Sequence, residues 1–292
     1  MWLPTGWLRR EGESPLFFYP RWAVRALRKT LQAAYVRLTP HTADPVQREP
    51  LFNVPGVVTA IVAILIVVHA GRMLLLTPAQ NEYFLNLFAF IPARYDTSLL
   101  LGNILPGGWG AEIWTFFTYS LIHADWIHLG VNTVWFLPFG TAIARRFGSL
   151  RFIAFFAVTA AAGALLHLFA HGGDTAQVVG ASAAISGTMA GAMRFAFQRG
   201  GPLGPRREGI DPYRVPAIPL LFVLTDARVF AFIIVWFGIN FLFGIGSLPL
   251  TGAGQTVAWQ AHIGGFLAGL LLFSWFDPVR EESGRDFGAA RH

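Results

Sequence analysis

"VVGASAAISGTMAG", Val178 to Gly191, has the apolar average of a membrane helix, yet it is built largely from small residues. Two hydroxyls, Ser182 and Ser186, lie four residues apart on it, and glycines recur at Gly187 and Gly191. Small residues at this spacing let helix backbones approach closely. A hydroxyl held away from water needs either a hydrogen-bond partner or a chemical task. The stretch therefore calls for closely packed spans around a polar interior.

Composition agrees. Of 292 residues, 54% are apolar and 13% charged, against about 25% charge in a soluble domain. Mean hydropathy is +0.50. A bilayer core needs roughly 20 mostly apolar residues per helix, and six segments qualify: 55–76, 126–144, 152–170, 177–197, 229–245 and 257–276. The expected fold is an all-α membrane protein, a six-helix transmembrane bundle. Residues 1–54 form a cytoplasmic segment, 55–276 the membrane domain and 277–292 a cytoplasmic tail. "AIPLLFVL" (217–224) is too short to span and reads as an interfacial or re-entrant piece. "MWLPTGWLRREGE" has no apolar core ahead of its charges, so no cleavable signal is expected there.

Charge sets the orientation. Twenty of the 22 Lys and Arg fall on one side of these spans, and only Arg72 and Arg94 on the other. The positive-inside rule puts both termini in the cytoplasm. Basic residues so distributed are topological, and no nucleic-acid partner is expected. With Lys29 as its single lysine, the chain has the Arg-heavy usage of a GC-rich bacterial genome, which makes the inner membrane the expected address. The absence of cysteine excludes disulfides, thiolate metal sites and cysteine nucleophiles. Residues 21–38 set Val24, Leu27, Leu31, Tyr35 and Leu38 on one helical face among basic residues, a pattern that lies on an anionic leaflet. The connection 77–125, rich in Phe, Leu and Trp, is expected to dip into the headgroup region.

In this orientation spans two, four and six begin at the outer surface. His128 and Asn132, Ser182, and His262 each fall a few residues inside those helices, roughly 5–10 Å below the boundary at 1.5 Å per residue. His128 and Asn132, four residues apart, share a face. Gly187-xxx-Gly191 and Ala261-xxx-Gly265-xxx-Gly269 are small-residue ridges whose contact would bring Ser182 to His262, a nucleophile and a base. The same residue types also act as plain interhelical hydrogen-bond glue, and the residues alone leave both readings open. Rival constellations are weaker. Ser186 is expected to back-bond within its helix. His167-xxx-His171 has metal-ligand spacing but lacks the glutamate of H-E-x-x-H, so neither a metal nor a cofactor is expected. Spans two to six hold no acid for an aspartyl mechanism. Asp125 reads as an N-cap, and His123 as a brace or a simple hydrogen-bonding residue. His69 and Asn240 could be interhelical glue or cavity lining and receive no role.

"HADWIHLGVN" (123–132), "GASAAISG" (180–187) and "AHIGGFLAG" (261–269) occur in order on the second, fourth and sixth spans. Together they resemble the rhomboid family of intramembrane serine proteases over roughly 55–276, and "FIPARY" (90–95) is similar to bacterial members. The resemblance implies an endopeptidase that cuts membrane-anchored substrates near the outer face through a Ser-His dyad and an acyl-enzyme. Ser182 would be the nucleophile and His262 the base. His128 and Asn132 would be the side-chain part of the oxyanion hole, joined by the Ser182 N–H, with Gly180 shaping the approach to the nucleophile. Span five would be a lateral gate. The implied partners are a transmembrane protein substrate and membrane lipid; oligomeric state is not assigned. Two positions depart from the family pattern: Ala183 stands where glycine is usual, and Thr115 follows Trp114 where arginine is usual. The alternatives are a catalytically weak or inactive rhomboid-like protein that binds transmembrane helices, and a small transporter.

Overall fold

The computed structural model describes residues 26, 28–30, 53–96, 105–244 and 258–279. The chain divides into two units, Met1–Asn53 and Val54–His292. Apart from the helical residues at 26 and 28–30, the expected amphipathic stretch 21–38 lies outside the described residues, as does the tail beyond 279.

Among the described residues the regular secondary structure of the second unit is helical, apart from one isolated β-bridge. Its α-helices are α1 (Gly56–Leu75), α2 (Pro78–Phe88), α3 (Gly108–Thr118), α4 (Trp126–Phe147), α5 (Ser149–Ala170), α6 (Ser182–Met193), α7 (Ala227–Gly244) and α8 (Trp259–Phe276). Short 3-10 turns lie at Pro92–Tyr95, Tyr119–Leu121 and Leu220–Thr225. By length and composition α1, α4 and α5 are apolar enough to cross a membrane, and α7 carries a shorter apolar stretch, Ala227–Leu242.

Local chemistry sets the boundaries. Asp125 caps α4, its Oδ1 accepting the His128 N–H at 2.7 Å and satisfying a donor that the first helical turn leaves unpaired. Gly148, at φ +76°, ends α4 and reverses the chain into α5, a conformation glycine adopts without steric cost. Thr77 and Gln80 form a reciprocal capping box ahead of α2.

The central element is α6. The sequence pattern assigns a span to 177–197, with Ser182 a few residues inside it. The helix instead covers only Ser182–Met193, and Ser182 is its first residue. Val178 is held in an antiparallel bridge to Phe90, with N–O distances of 3.1 and 2.8 Å, and Gly180 turns the chain at φ +128°. Neither conformation can continue a helix. Twelve residues rise about 18 Å, short of a bilayer core of about 30 Å. Such a helix is tolerable only where its irregular flanks are enclosed by protein, and every residue from Ala183 to Met193 is buried among α4, α5 and α8.

The small-residue ridges make that enclosure possible. A Cβ at position 265 would overlap the backbone of Ala183, and one at position 269 the backbone of Gly187. Gly163 of α5 faces both the Ala183 methyl and the Ala261 carbonyl: a Cβ there would lie 2.5 and 2.7 Å from them. The expected contact of the ridges is thus made, and it seats α6 directly on α8.

Buried arginines fasten both ends. At the end opposite Ser182, Arg146 donates to both Asp277 carboxylate oxygens at 2.9 and 2.8 Å and to the Tyr213 and Val215 carbonyls. Arg194 donates to the Ile218 and Leu270 carbonyls. At the Ser182 end, Arg72 reaches the His123 carbonyl at 2.7 Å and Asn81 at 3.0 Å, and Arg94 donates to the Pro106 and Asn86 carbonyls. Thr115, where the family's arginine would stand, is buried and donates to Ala111 O at 2.6 Å. Arg94 and the Trp114 indole, which donates to Leu87 O at 2.9 Å, fasten this connection instead. Trp109, Ile113 and Phe117 of α3 point outward.

Candidate active site

At the N-terminal ends of α4, α6 and α8 lies a cavity of 1170 Å³ lined by Ser182, His262, His128, Asn132 and Asn240, among others. Each site residue expected from sequence except Gly180 is among the lining, and Gly180 forms the backbone turn just before Ser182.

The nucleophile end is assembled from outside α6. Gly180 N–H donates to Tyr119 O at 3.0 Å, and Ala181 N–H donates to His123 Nε2 at 3.4 Å. His123 is fully buried, and its carbonyl accepts from Arg72 and from His69 Nδ1 at 3.1 Å. Two side chains of α1 therefore hold the loop residue that in turn holds the backbone ahead of Ser182. Burial, with His128, His69 and Arg72 nearby, pushes His123 down to about 3, so its ring stays neutral and keeps the lone pair that the Ala181 N–H requires.

Gly180 is needed twice over. Its φ of +128° is disfavoured for any residue with a side chain. A Cβ there would also lie 2.9 Å from both Cε1 and Nε2 of His128 and 3.5 Å from Ser182 Oγ. The His128 ring and the Ser182 hydroxyl thus flank one small volume. Ala124 N–H points at His128 Nδ1 at 3.5 Å, which makes Nδ1 the acceptor and leaves the proton on Nε2, facing the cavity. Asn132 donates through Nδ2 to His128 O at 2.9 Å, which fixes its amide one turn along the same face. Because Ser182 opens α6, its N–H is among the donors the first turn leaves unpaired, and the positive end of the helix dipole lies at this spot. The His128 ring, the Asn132 amide and the first residue of α6 thus line one cavity.

On the other side, Ala183 and Ala261 meet at Gly163, so Ser182 and His262 project from adjoining helices into the one cavity. No hydrogen bond joins the two side chains among the described residues; such bonds commonly tighten only with substrate in place. His262 Nδ1 is engaged by Asn240 Oδ1 of α7, a partner the sequence reading left without a role. Its one signal is an amide alone in the apolar run "VWFGINFLF". Ser186 Oγ donates to Ser182 O at 2.7 Å, so that hydroxyl is spent inside its own helix. His167 and His171 stack at 4.7 Å on the cavity wall, and no cluster of three or more metal-ligating side chains occurs among the described residues. Ala183 is helical and 1% exposed. Its methyl meets Gly163 on α5, where a missing side chain leaves room for it.

A sequence model described as the rhomboid domain matches residues 110–276. The chain is also similar to the rhomboid protease GlpG of Haemophilus influenzae, 33% identical over 51 residues. That stretch is 18% of this chain and 27% of the relative, so the match spans about a quarter of that protein's length.

Proposed function

Since the chain belongs to the rhomboid family, we propose that it is an intramembrane serine endopeptidase with Ser182 as nucleophile and His262 as general base. The observation that carries this reading is the convergence of a serine, a histidine base and separate hydrogen-bond donors on one cavity at one end of the bundle. Ser182 Oγ attacks a peptide carbonyl while His262 Nε2 accepts its proton. The carbonyl oxygen becomes an oxyanion, met by His128 Nε2–H, Asn132 Nδ2–H and the Ser182 N–H. Removing one such donor typically costs about 3–4 kcal/mol of barrier lowering. The tetrahedral intermediate collapses to an acyl-enzyme as His262 returns the proton to the leaving amine. Water, activated by the same base, then hydrolyses the ester and regenerates Ser182. No cofactor or metal enters this scheme.

In this proposal α1, α4, α5, α7 and α8 cross a bacterial inner membrane around the shorter, enclosed α6, with both termini in the cytoplasm. The asymmetry of Arg and Lys supports the orientation, and the cavity then opens toward the outer face. The substrate is a membrane-anchored protein. Its peptide bonds are protected by helical hydrogen bonds, so cleavage favours segments with small or helix-breaking residues that unwind locally. The outward face of α3, with Trp109, Ile113 and Phe117, suits contact with lipid at the headgroup level. Ala183 lends no support to an inactive reading, because its methyl packs away from the cavity against Gly163.

The test is covalent. A fluorophosphonate should phosphonylate the purified protein once, with the adduct mapped to Ser182 and absent in His262→Ala. An adduct on Ser186, or labelling that survives loss of His262, would overturn the assignment.

A further inference from the structure

Asn240 is buried, 8% exposed, in the stretch 229–242 of α7, which is otherwise apolar, and it lines the cavity that holds Ser182 and His262. One side of its amide faces Trp236 O at 2.8 Å. A carbonyl only accepts, so that side is Nδ2, and Oδ1 is turned across to His262 Nδ1 on α8. Oδ1 offers lone pairs alone, so it engages His262 in the form whose Nδ1 carries the proton. In a neutral imidazole the other nitrogen, Nε2, is then unprotonated and available as a base. The anchor beneath this contact is itself fixed: the Trp236 ring stacks on Phe266 of α8 at 4.7 Å, with Phe237 edge-on to the same ring at 5.7 Å.

We propose that Asn240 is a positioning residue that sets the tautomer and ring orientation of His262, extending the pair to a Ser182–His262–Asn240 relay. This rests on the Ser–His reading above. The acid of a hydrolase triad does the same for its histidine, and a neutral amide does it for the histidine of papain-like proteases. Within the spans of this chain an amide performs the task without burying a charge, which hydrocarbon makes costly. The relay also binds the base to α7. A displacement of α7 that breaks the Oδ1–Nδ1 contact removes the base's orientation together with the cavity wall.

The test compares wild type with Asn240→Leu, which keeps the volume and removes the acceptor, and Asn240→Asp, which keeps an acceptor. The readouts are the rate of fluorophosphonate labelling at Ser182, kcat and KM on a single-span reporter in proteoliposomes, and the unfolding temperature. Loss of base orientation predicts labelling and kcat about 10- to 100-fold slower in Asn240→Leu with KM within about twofold. Asn240→Asp should recover most of the rate. A histidine-selective 15N spectrum, assigned with His262→Ala, should show an Nδ1–H tautomer in wild type and a mixture in Asn240→Leu. Labelling of Asn240→Leu at the wild-type rate overturns the inference. So does equal slowing of both variants with matching losses in unfolding temperature, which would make Asn240 a packing residue. Failure of wild-type Ser182 to label would instead bring down the Ser–His reading itself.

Discussion

Gly265→Ala should impair this protein far more than the addition of one methyl group suggests. A Cβ at position 265 would overlap the Ala183 carbonyl oxygen and lie 2.6 Å from its carbonyl carbon and 3.0 Å from its Cα. All three are backbone atoms of α6, so no side chain can swing aside. Relaxing even the 2.6 Å contact to an ordinary 3.4 Å requires about 0.8 Å of extra separation between α6 and α8, and relieving the overlap with the oxygen requires more. Overpacking of this kind costs about 1–3 kcal/mol. The same displacement separates Ser182, the neighbour of Ala183, from His262, about one turn from Gly265, and misplacing reacting groups by about 1 Å costs on the order of 100-fold in rate. Gly238→Ala on α7 is the control, since a Cβ there meets nothing within 4 Å. Reporter cleavage in proteoliposomes and unfolding temperature in detergent measure both effects. Gly265→Ala with activity within twofold of wild type and unchanged stability would refute the packing argument, and with it the account of how the two residues are brought together.

Other outcomes follow from the same structure. Gly180→Ala forces a side chain into φ +128° and against the His128 ring; backbone strain of about 1–3 kcal/mol should appear as a lower unfolding temperature, with cleavage reduced at least as strongly as in Gly265→Ala. Arg146→Met leaves Asp277 buried without its partner, the two side chains being 0% and 7% exposed, and should destabilise by about 3–5 kcal/mol; adding Asp277→Leu should restore part of the loss. His123 gives a pH dependence. Its folded-state value of about 3 lies below the ordinary 6.5, with burial the main cause and His128, His69 and Arg72 adding to it. Protons therefore bind the unfolded chain preferentially once pH falls below 6.5. Stability is fully present above that value and is lost toward pH 3, at about 1.4 kcal/mol per pH unit. Unfolding temperatures measured from pH 7.5 to 4 should fall accordingly, and less steeply in His123→Gln.

The sequence carried the site further than it carried the fold's details. That Ser182, His262, His128 and Asn132 would line one cavity was legible because short motifs fix their spacing and because small-residue ridges imply which helices meet. The start of α6 was not legible. It depends on the pairing of Val178 with Phe90, a contact between segments far apart in the chain that hydropathy cannot see. Asn240 was visible as a lone amide in an apolar run, but the face it presents depends on the rotation of α7 about its axis. Likewise, counting charges singles out Arg72 and Arg94 as exceptions to the asymmetry without revealing why they are tolerated. Each is buried: Arg72 donates to the His123 carbonyl and the Asn81 side chain, and Arg94 to the Pro106 and Asn86 carbonyls. Ala183 looks like a defect beside the family pattern until Gly163, on another helix, is seen opposite its methyl.

The central claim is tested most directly by cleavage of a single-span reporter, with small residues at the outer end of its helix, by wild type, Ser182→Ala and His262→Ala reconstituted in proteoliposomes. The account predicts one cut near the outer end of the reporter helix with wild type and no cut with either variant, both variants remaining folded by unfolding temperature. Cleavage that survives in folded Ser182→Ala would contradict it.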